Sequence, residues 1–335
     1  MDLLNWLKAT FQQLRLICSQ QAFFAMNQTG KNCFFFEEKY VNFDRTEGVF
    51  TANIVTCSLN CLFSLVTCLG NFLIVFTIGK TQELHSPTFI LLGCLAVSDL
   101  LVGLICQPFF VAHKIAELKE NFAVFCKLKV LQSLSAWITG GASLFILAAV
   151  LIDRLLALTL HLRYNTIVTV PRVFQTTFIL WMFVTVTVLL RFWMTNKWFF
   201  IPIGLGFLFF SVIMASSWKI FRIVRRHQHQ VKDQDMAVSH LQNKTMNILK
   251  CRKSAATVLY IYGLFLIFYL PYMVLLVVET FIGFSRTVRI AYDYATTAIF
   301  INSFLNPVLY CWRISEIRRA VKNIMRRNIV WSIQV

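Results

Sequence analysis

Charge is what this chain has least of. Only 14% of its 335 residues are Asp, Glu, Lys or Arg, against 58% hydrophobic residues that include 33 Phe. That is far more apolar surface than a soluble domain can hide, so a water-soluble fold is excluded and lipid is the expected solvent. Catalytic signatures are missing too. There is no HExxH, no Ser-His-Asp set on the apolar runs and no Gly-rich phosphate loop, so the chain does not read as an enzyme. No internal repeat is visible, and the polar residues of the runs cluster near the middle and inner end without forming a continuous stripe. Both observations weigh against the alternative, a seven-span transporter or ion channel. The net charge of +17 is not attached to a basic soluble domain, which removes nucleic acid as a partner. No basic stretch precedes the first apolar residues, and Asp2 and Lys8 interrupt them. The expectation is therefore no cleavable signal, with the first span acting as its own insertion signal.

What is present is a set of long apolar runs, each able to cross a hydrocarbon core of about 30 Å. They read as Phe50 to Ile78, Phe89 to Ala112, Phe122 to Ile152, Val173 to Leu190, Trp198 to Phe221, Ala255 to Val278 and Ile290 to Cys311. The fold class is an all-α membrane protein, a seven-transmembrane helix bundle. Seven is odd, so the termini lie on opposite sides. With the N-terminus outside, the inner loops and tail hold nineteen Lys or Arg against five acids, and the outer segments thirteen against nine, in keeping with the rule that basic residues stay cytoplasmic. The expected division is an extracellular segment 1–49, a transmembrane domain 50–311 and a cytoplasmic helix and tail 312–335, in the plasma membrane. Inner basic loops next to spans attract anionic membrane lipids and an acidic or polar cytosolic partner. In the tail, Ile314, Ile317, Val321 and Ile324 recur at helical spacing with Arg318, Arg319 and Lys322 on other faces, which predicts a short amphipathic helix on the inner membrane surface.

Against this background a few residues stand out. Asp99 is a lone carboxylate at membrane depth, and such acids are normally functional. Asn71, Ser143, Asn302, Ser303 and Asn306 offer oxygens or amides around it, a donor set that suits a small hard cation with water. Pro271 and Pro307 each remove a helical hydrogen bond inside a span and permit a kink. Arg154, in Asp153-Arg154-Leu155 at an inner span end, is a charge kept at the edge of hydrocarbon, fit for contact with a cytosolic partner. Asn27-Gln28-Thr29 is an acceptor sequon on the outer side, so Asn27 is a candidate glycosylation site. Of ten cysteines, only Cys18, Cys33 and Cys126 fall in an oxidising compartment.

In order along the chain these residues resemble a rhodopsin-like (class A) G-protein-coupled receptor. The match runs through Gly70-Asn71, Leu95 to Leu100 with Asp99, Ser143, Asp153-Arg154, Trp181, Phe265 with Phe268 to Pro271, and Asn306-Pro307-Val308-Leu309-Tyr310. The resemblance implies a receptor that carries an extracellular signal to a heterotrimeric G protein by outward movement of the sixth span. It implies that Asp99, Ser143, Asn302, Ser303 and Asn306 hold an allosteric sodium ion, with no other cofactor. Phe265 and Tyr269 would re-register beside Pro271, although many relatives carry Trp where Tyr269 stands. Pro307 and Tyr310 would hold the opened state, and Arg154 would exchange Asp153 for the inserted helix of the G protein. Relatives often restrain that arginine with an acid at the start of the sixth span. Cys251 occupies the position here, so appreciable ligand-independent signalling is expected.

Departures from the pattern bear on the ligand. The loop after the fourth span is short and has no cysteine, and Cys126 lies about one helical turn further out than is usual. Its outer partners are Cys18 or Cys33, and a Cys33–Cys126 bridge over the pocket is the expected pairing. The short loop, the absence of a fifth-span proline and Leu162-Arg163-Tyr164 resemble the melanocortin, lysophospholipid, cannabinoid and adenosine cluster, as an orphan-like member. Ala136 stands where an aminergic receptor needs a carboxylate, and Phe300 where an opsin needs its lysine. The expected cavity is lined by Phe109, Gln132, Ser133, Ala136, Trp137, Tyr269, Tyr272, Leu276, Glu279, Tyr292 and Thr296. Apolar, aromatic walls with few polar anchors suit an apolar or lipid-like small molecule. Glu279 and Asp293 at the rim offer a basic peptide an alternative.

Overall fold

The structure, a computed structural model, describes residues 46–160, 163–190, 200–234, 242–283 and 285–334. Among them there is no strand. The long helices are α1 (Glu47–Lys80), α2 (Pro87–Leu118), α3 (Phe122–Leu160), α4 (Val170–Leu189), α5 (Phe200–Gln234), α6 (Gln242–Ile282), α7 (Arg286–Arg313) and α8 (Ser315–Gln334). A one-turn helix, Tyr164–Ile167, lies between α3 and α4. α3 runs through the middle, packed on α2, α4, α5 and α6, while α1 closes on α2 and α7, and α8 folds back onto α1 and α7. The helices overrun the apolar runs, most of all at the inner ends of α5 and α6, where polar and basic sequence continues the helix beyond hydrocarbon.

Burial follows the logic of a protein dissolved in lipid. On α1, Asn53, Thr56, Asn60, Thr67 and Asn71 recur at helical spacing and are buried, while Leu62, Leu65, Leu69 and Phe72 of the same helix are exposed. Apolar side chains cost nothing against lipid tails, whereas backbone and side-chain polar groups must find partners inside. Six helices are long and apolar enough to cross a membrane; α7 is long but falls short in apolarity. Its polar residues explain the shortfall, because Asp293, Thr297, Asn302, Ser303 and Asn306 are all turned inward.

α2 widens to a π turn over Val102–Cys106, just ahead of Pro108. A proline ring collides with the carbonyl one turn earlier, and the wider turn relieves the collision. The Ser64 hydroxyl of α1 donates to the Gly103 carbonyl at 2.8 Å, so the disturbed backbone is satisfied from a neighbour. A Cβ on Gly103 would lie 2.8 Å from Cys68 Sγ and 3.2 Å from both Cys68 N and Ser64 O. The sulfur can turn away but the backbone atoms cannot. Gly103→Ala is therefore expected to destabilise the bundle by about 1–3 kcal/mol, read as a lower melting temperature of the detergent-purified protein. An unchanged melting temperature would show that α1 and α2 can separate freely there.

Candidate functional site

Three groups of residues meet inside the bundle, and the innermost surrounds Arg154. Asp153 is buried and accepts from Thr88 Oγ1 at 2.7 Å, from Tyr164 Oη at 2.6 Å, and from Arg154 Nη2 at 2.7 Å and Nε at 3.1 Å. The carboxylate is thus fixed from α2 and from the loop helix, and the guanidinium is parked against it, partly exposed at the inner mouth. Burial, reinforced by the bond to Asp153, pushes the Tyr164 hydroxyl up to about 12, so it remains a donor throughout the physiological range. Arg172 donates to the carbonyls of Thr166 and Ile167 and holds the loop helix that carries Tyr164. No sequence pattern marks Thr88 for this role, and for Tyr164 the signal is a tyrosine eleven residues beyond Asp153 in a short loop.

The second group lies midway along the spans. Asn306 Nδ2 donates to Asp99 Oδ2 at 2.7 Å, and Asn71 Nδ2 donates to the Ser303 carbonyl at 3.0 Å, joining α1, α2 and α7. Ser143 on α3 and Asn302 and Ser303 on α7 are also buried. Ser143 Oγ, Asn71 Oδ1 and Tyr310 Oη have no hydrogen-bond partner among the described residues. Buried oxygens of this kind are ordinarily satisfied by water or an ion, so the donor set fits a hydrated sodium ion. Pro307 is buried in α7 against α1, where a Cβ built on Gly70 would meet the ring at 3.4 Å, an ordinary contact distance. On α6, Phe265 and Tyr269 stack at 3.8 Å between ring centroids, 19° from parallel, one helical turn below Pro271. α6 thus carries its proline directly above a stacked pair.

The third group is the outer half. Trp137 on α3 meets Tyr272 on α6 edge-on at 5.8 Å, and Tyr272 meets Tyr292 on α7 at 5.4 Å. Gln132 and Leu276 are buried, while Phe109, Ser133, Ala136, Thr296 and Glu279 are partly exposed. Three of the expected cavity residues are therefore in one aromatic chain across three helices. One expectation is corrected. Asp293 is not open at the rim for a basic peptide: it is buried and accepts from Lys114 Nζ at 2.5 Å. Lys114 also reaches Glu117 at 3.3 Å, and Glu117 is paired with Arg289 and takes a 3.0 Å hydrogen bond from Asn53 Nδ2. Buried polar residues thus extend to the outer end of the bundle as well as its middle. The sequence signal is two spacings, Lys114 with Glu117 at three and Arg289 with Asp293 at four, on helices whose contact no local pattern shows.

Cys126 is disulfide-bonded, while Cys57, Cys61, Cys68, Cys94, Cys106 and Cys311 are free. Cys18, Cys33 and Asn27 lie outside the described residues, and so does the side chain of Cys251.

A helical membrane bundle with an ionic pair at one end, a buried acid at its centre and a chain of aromatic rings towards the other end has the makings of a receptor. The family model of the 7 transmembrane receptor (rhodopsin family) matches residues 70–200 and 193–310, and the chain belongs to that family. It is 27% identical over 290 residues to trace amine-associated receptor 2 of Homo sapiens, covering 79% of this chain and 80% of that one. The Mus musculus receptor of the same name is 26% identical over 313 residues, with 85% and 88% covered. That of Rattus norvegicus is 26% identical over 289 residues, with 79% and 82% covered. The chain is a G-protein-coupled signalling receptor and a multi-pass membrane protein, not an enzyme.

Proposed function

We propose that the receptor sits in the plasma membrane with segment 1–49 outside and residues 312–335 inside, and that it responds to an apolar or lipid-like small molecule. The Trp137–Tyr272–Tyr292 chain supports that ligand class, since it offers large aromatic faces and few charges. A trace amine, the ligand class in the relatives' name, does not carry over. A protonated amine needs a carboxylate opposite it on α3, and Ala136 supplies none. The one acid on α7, Asp293, is already paired with Lys114. Glu279 keeps a short basic peptide as the second reading. A bridge from Cys126 to Cys33 would place the N-terminal segment over this chamber, with a glycan at Asn27.

In this reading a ligand at Tyr269 and Tyr272 disturbs the Phe265–Tyr269 stack, and α6 swings at Pro271. Asn306, Pro307 and Tyr310 then repack α7, and Arg154 leaves Asp153 for the G protein. Asp99, Ser143, Asn302, Ser303 and Asn306 would hold sodium, whose positive charge favours the packed arrangement around Asp99. The observation that carries the proposal is the Asp153–Arg154 pair, held by Thr88 and Tyr164 beneath a proline-bearing α6.

Cys251 cannot supply the negative charge that would restrain Arg154 from α6. Cells expressing the chain should consequently show G-protein activation several-fold above untransfected cells with no ligand added, in a panel spanning the G-protein classes. Background-level activation across the panel would refute the expectation of basal signalling. The same panel, repeated with lipid, peptide and amine libraries, discriminates the ligand classes: a response to amines alone would overturn the aromatic reading of the chamber.

A further inference from the structure

The inner end of α6 meets α7 through a contact that involves no carboxylate. Arg313, the last residue of α7, places its guanidinium carbon 4.5 Å from the ring centroid of Tyr260 on α6 and 5.3 Å from that of the adjacent Trp312. Tyr260 and Trp312 meet edge-on at 6.4 Å. A guanidinium within about 6 Å of an aromatic centroid is attracted by the ring quadrupole, and more strongly where water is scarce. Tyr260 and Trp312 are exposed in the bundle, which at this level means exposed to lipid and its interface.

Position gives the contact its meaning. Tyr260 lies eleven residues before Pro271, on the part of α6 below the kink, so any outward swing about that proline carries Tyr260 away from α7. The other arm is held in place. Arg318 of α8 donates to the Trp312 carbonyl at 3.0 Å, and the Ile314 amide donates to Tyr310 O, which together fix the elbow between α7 and α8. Ile317, Ala320 and Val321 bury α8 against the bundle. A moving ring is thus stacked on a cation whose backbone is anchored.

We propose that Tyr260, Arg313 and Trp312 form a cation–π latch that holds α6 closed in the resting receptor, restraining the helix whose usual acidic position is occupied by Cys251. The inference rests on the opening of α6 proposed above. Opening breaks the latch, so deleting the contact lowers the closed-to-open ratio by the factor the contact contributes.

The test measures ligand-independent G-protein activation by the full-length receptor in cells, at matched surface density, with the Arg154→Ala variant as a separate arm. Tyr260→Leu removes the ring and should raise the signal about fivefold, the equilibrium shift expected for a contact of this class. Arg313→Gln should do the same. Tyr260→Phe keeps the ring and should retain the parent level, and Arg313→Lys, a cation without the planar face, should fall between. The Tyr260→Leu/Arg313→Gln double variant should exceed neither single variant, because both remove one contact. Signals at or below the parent level in both single variants, or fully additive effects in the double variant, would overturn the latch. If those variants are silent while Arg154→Ala still abolishes activation, the latch alone fails. If Arg154→Ala leaves activation intact, the opening mechanism itself fails.

Discussion

Lys114→Ala is expected to cost the receptor roughly 3–5 kcal/mol and most of its surface expression. Lys114 is 2% exposed and neutralises two carboxylates on different helices, Asp293 of α7 and Glu117 of α2. Removing it takes from buried Asp293 the ammonium that stands 2.5 Å away, while Glu117 keeps Arg289 and Asn53. The penalty comes from the stranded charge more than from the lost attraction, because a buried pair repays little beyond its own desolvation. A paired replacement separates the two effects. Lys114→Met with Asp293→Leu removes both charges at similar volume and should recover much of the melting temperature lost by Lys114→Ala. Thermal unfolding of purified protein decides it: equal losses in the single and paired variants would mean that the cluster contributes through packing and not through charge.

The same cluster shows where reading the sequence reached its limit. Lys114, Glu117, Arg289 and Asp293 stand at the ends of apolar runs, where ionisable residues are ordinary loop neighbours and carry no signal of burial. Their pairing crosses 172 and 179 residues, a distance that no local pattern spans. The π turn before Pro108 is hidden for a related reason, since the carbonyl it frees at Gly103 is satisfied by Ser64 of another helix. By contrast, Asp99, Pro271, Pro307 and Arg154 were legible because each is costly in lipid and none is explained by a span alone. Their neighbours could be named as well: Asn306 does meet Asp99. The aromatic chain was readable in part. Trp137, Tyr272 and Tyr292 stand out in the sequence as aromatic cavity candidates, but their edge-on order follows from helix rotation, which hydropathy does not report. Burial on α1 was also readable in principle, because its Asn and Thr residues recur on one face, yet inside-out polarity only becomes meaningful once lipid is taken as the solvent.

The second large effect concerns Arg154. Asp153 is held by Thr88 and Tyr164 as well as by Arg154, so the guanidinium rests against a carboxylate fixed from two other elements and stays partly exposed. Truncating it to alanine removes a planar, permanently charged donor set that no other residue there can replace. It leaves Asp153 with two neutral donors from other elements, so the fold should largely survive. Activation should therefore fall by more than tenfold, with surface density and melting temperature near those of the parent, in contrast to Lys114→Ala, where stability fails first. Thr88→Val, which removes one arm of the cradle and keeps the arginine, should shift signalling far less.

The most direct measurement is nucleotide exchange on a purified heterotrimeric G protein, catalysed by the reconstituted receptor and by its Arg154→Ala variant at equal, well-folded concentration. Exchange by the parent without added ligand, lost in the variant, is the predicted result. Exchange that proceeds equally with and without the arginine would contradict it.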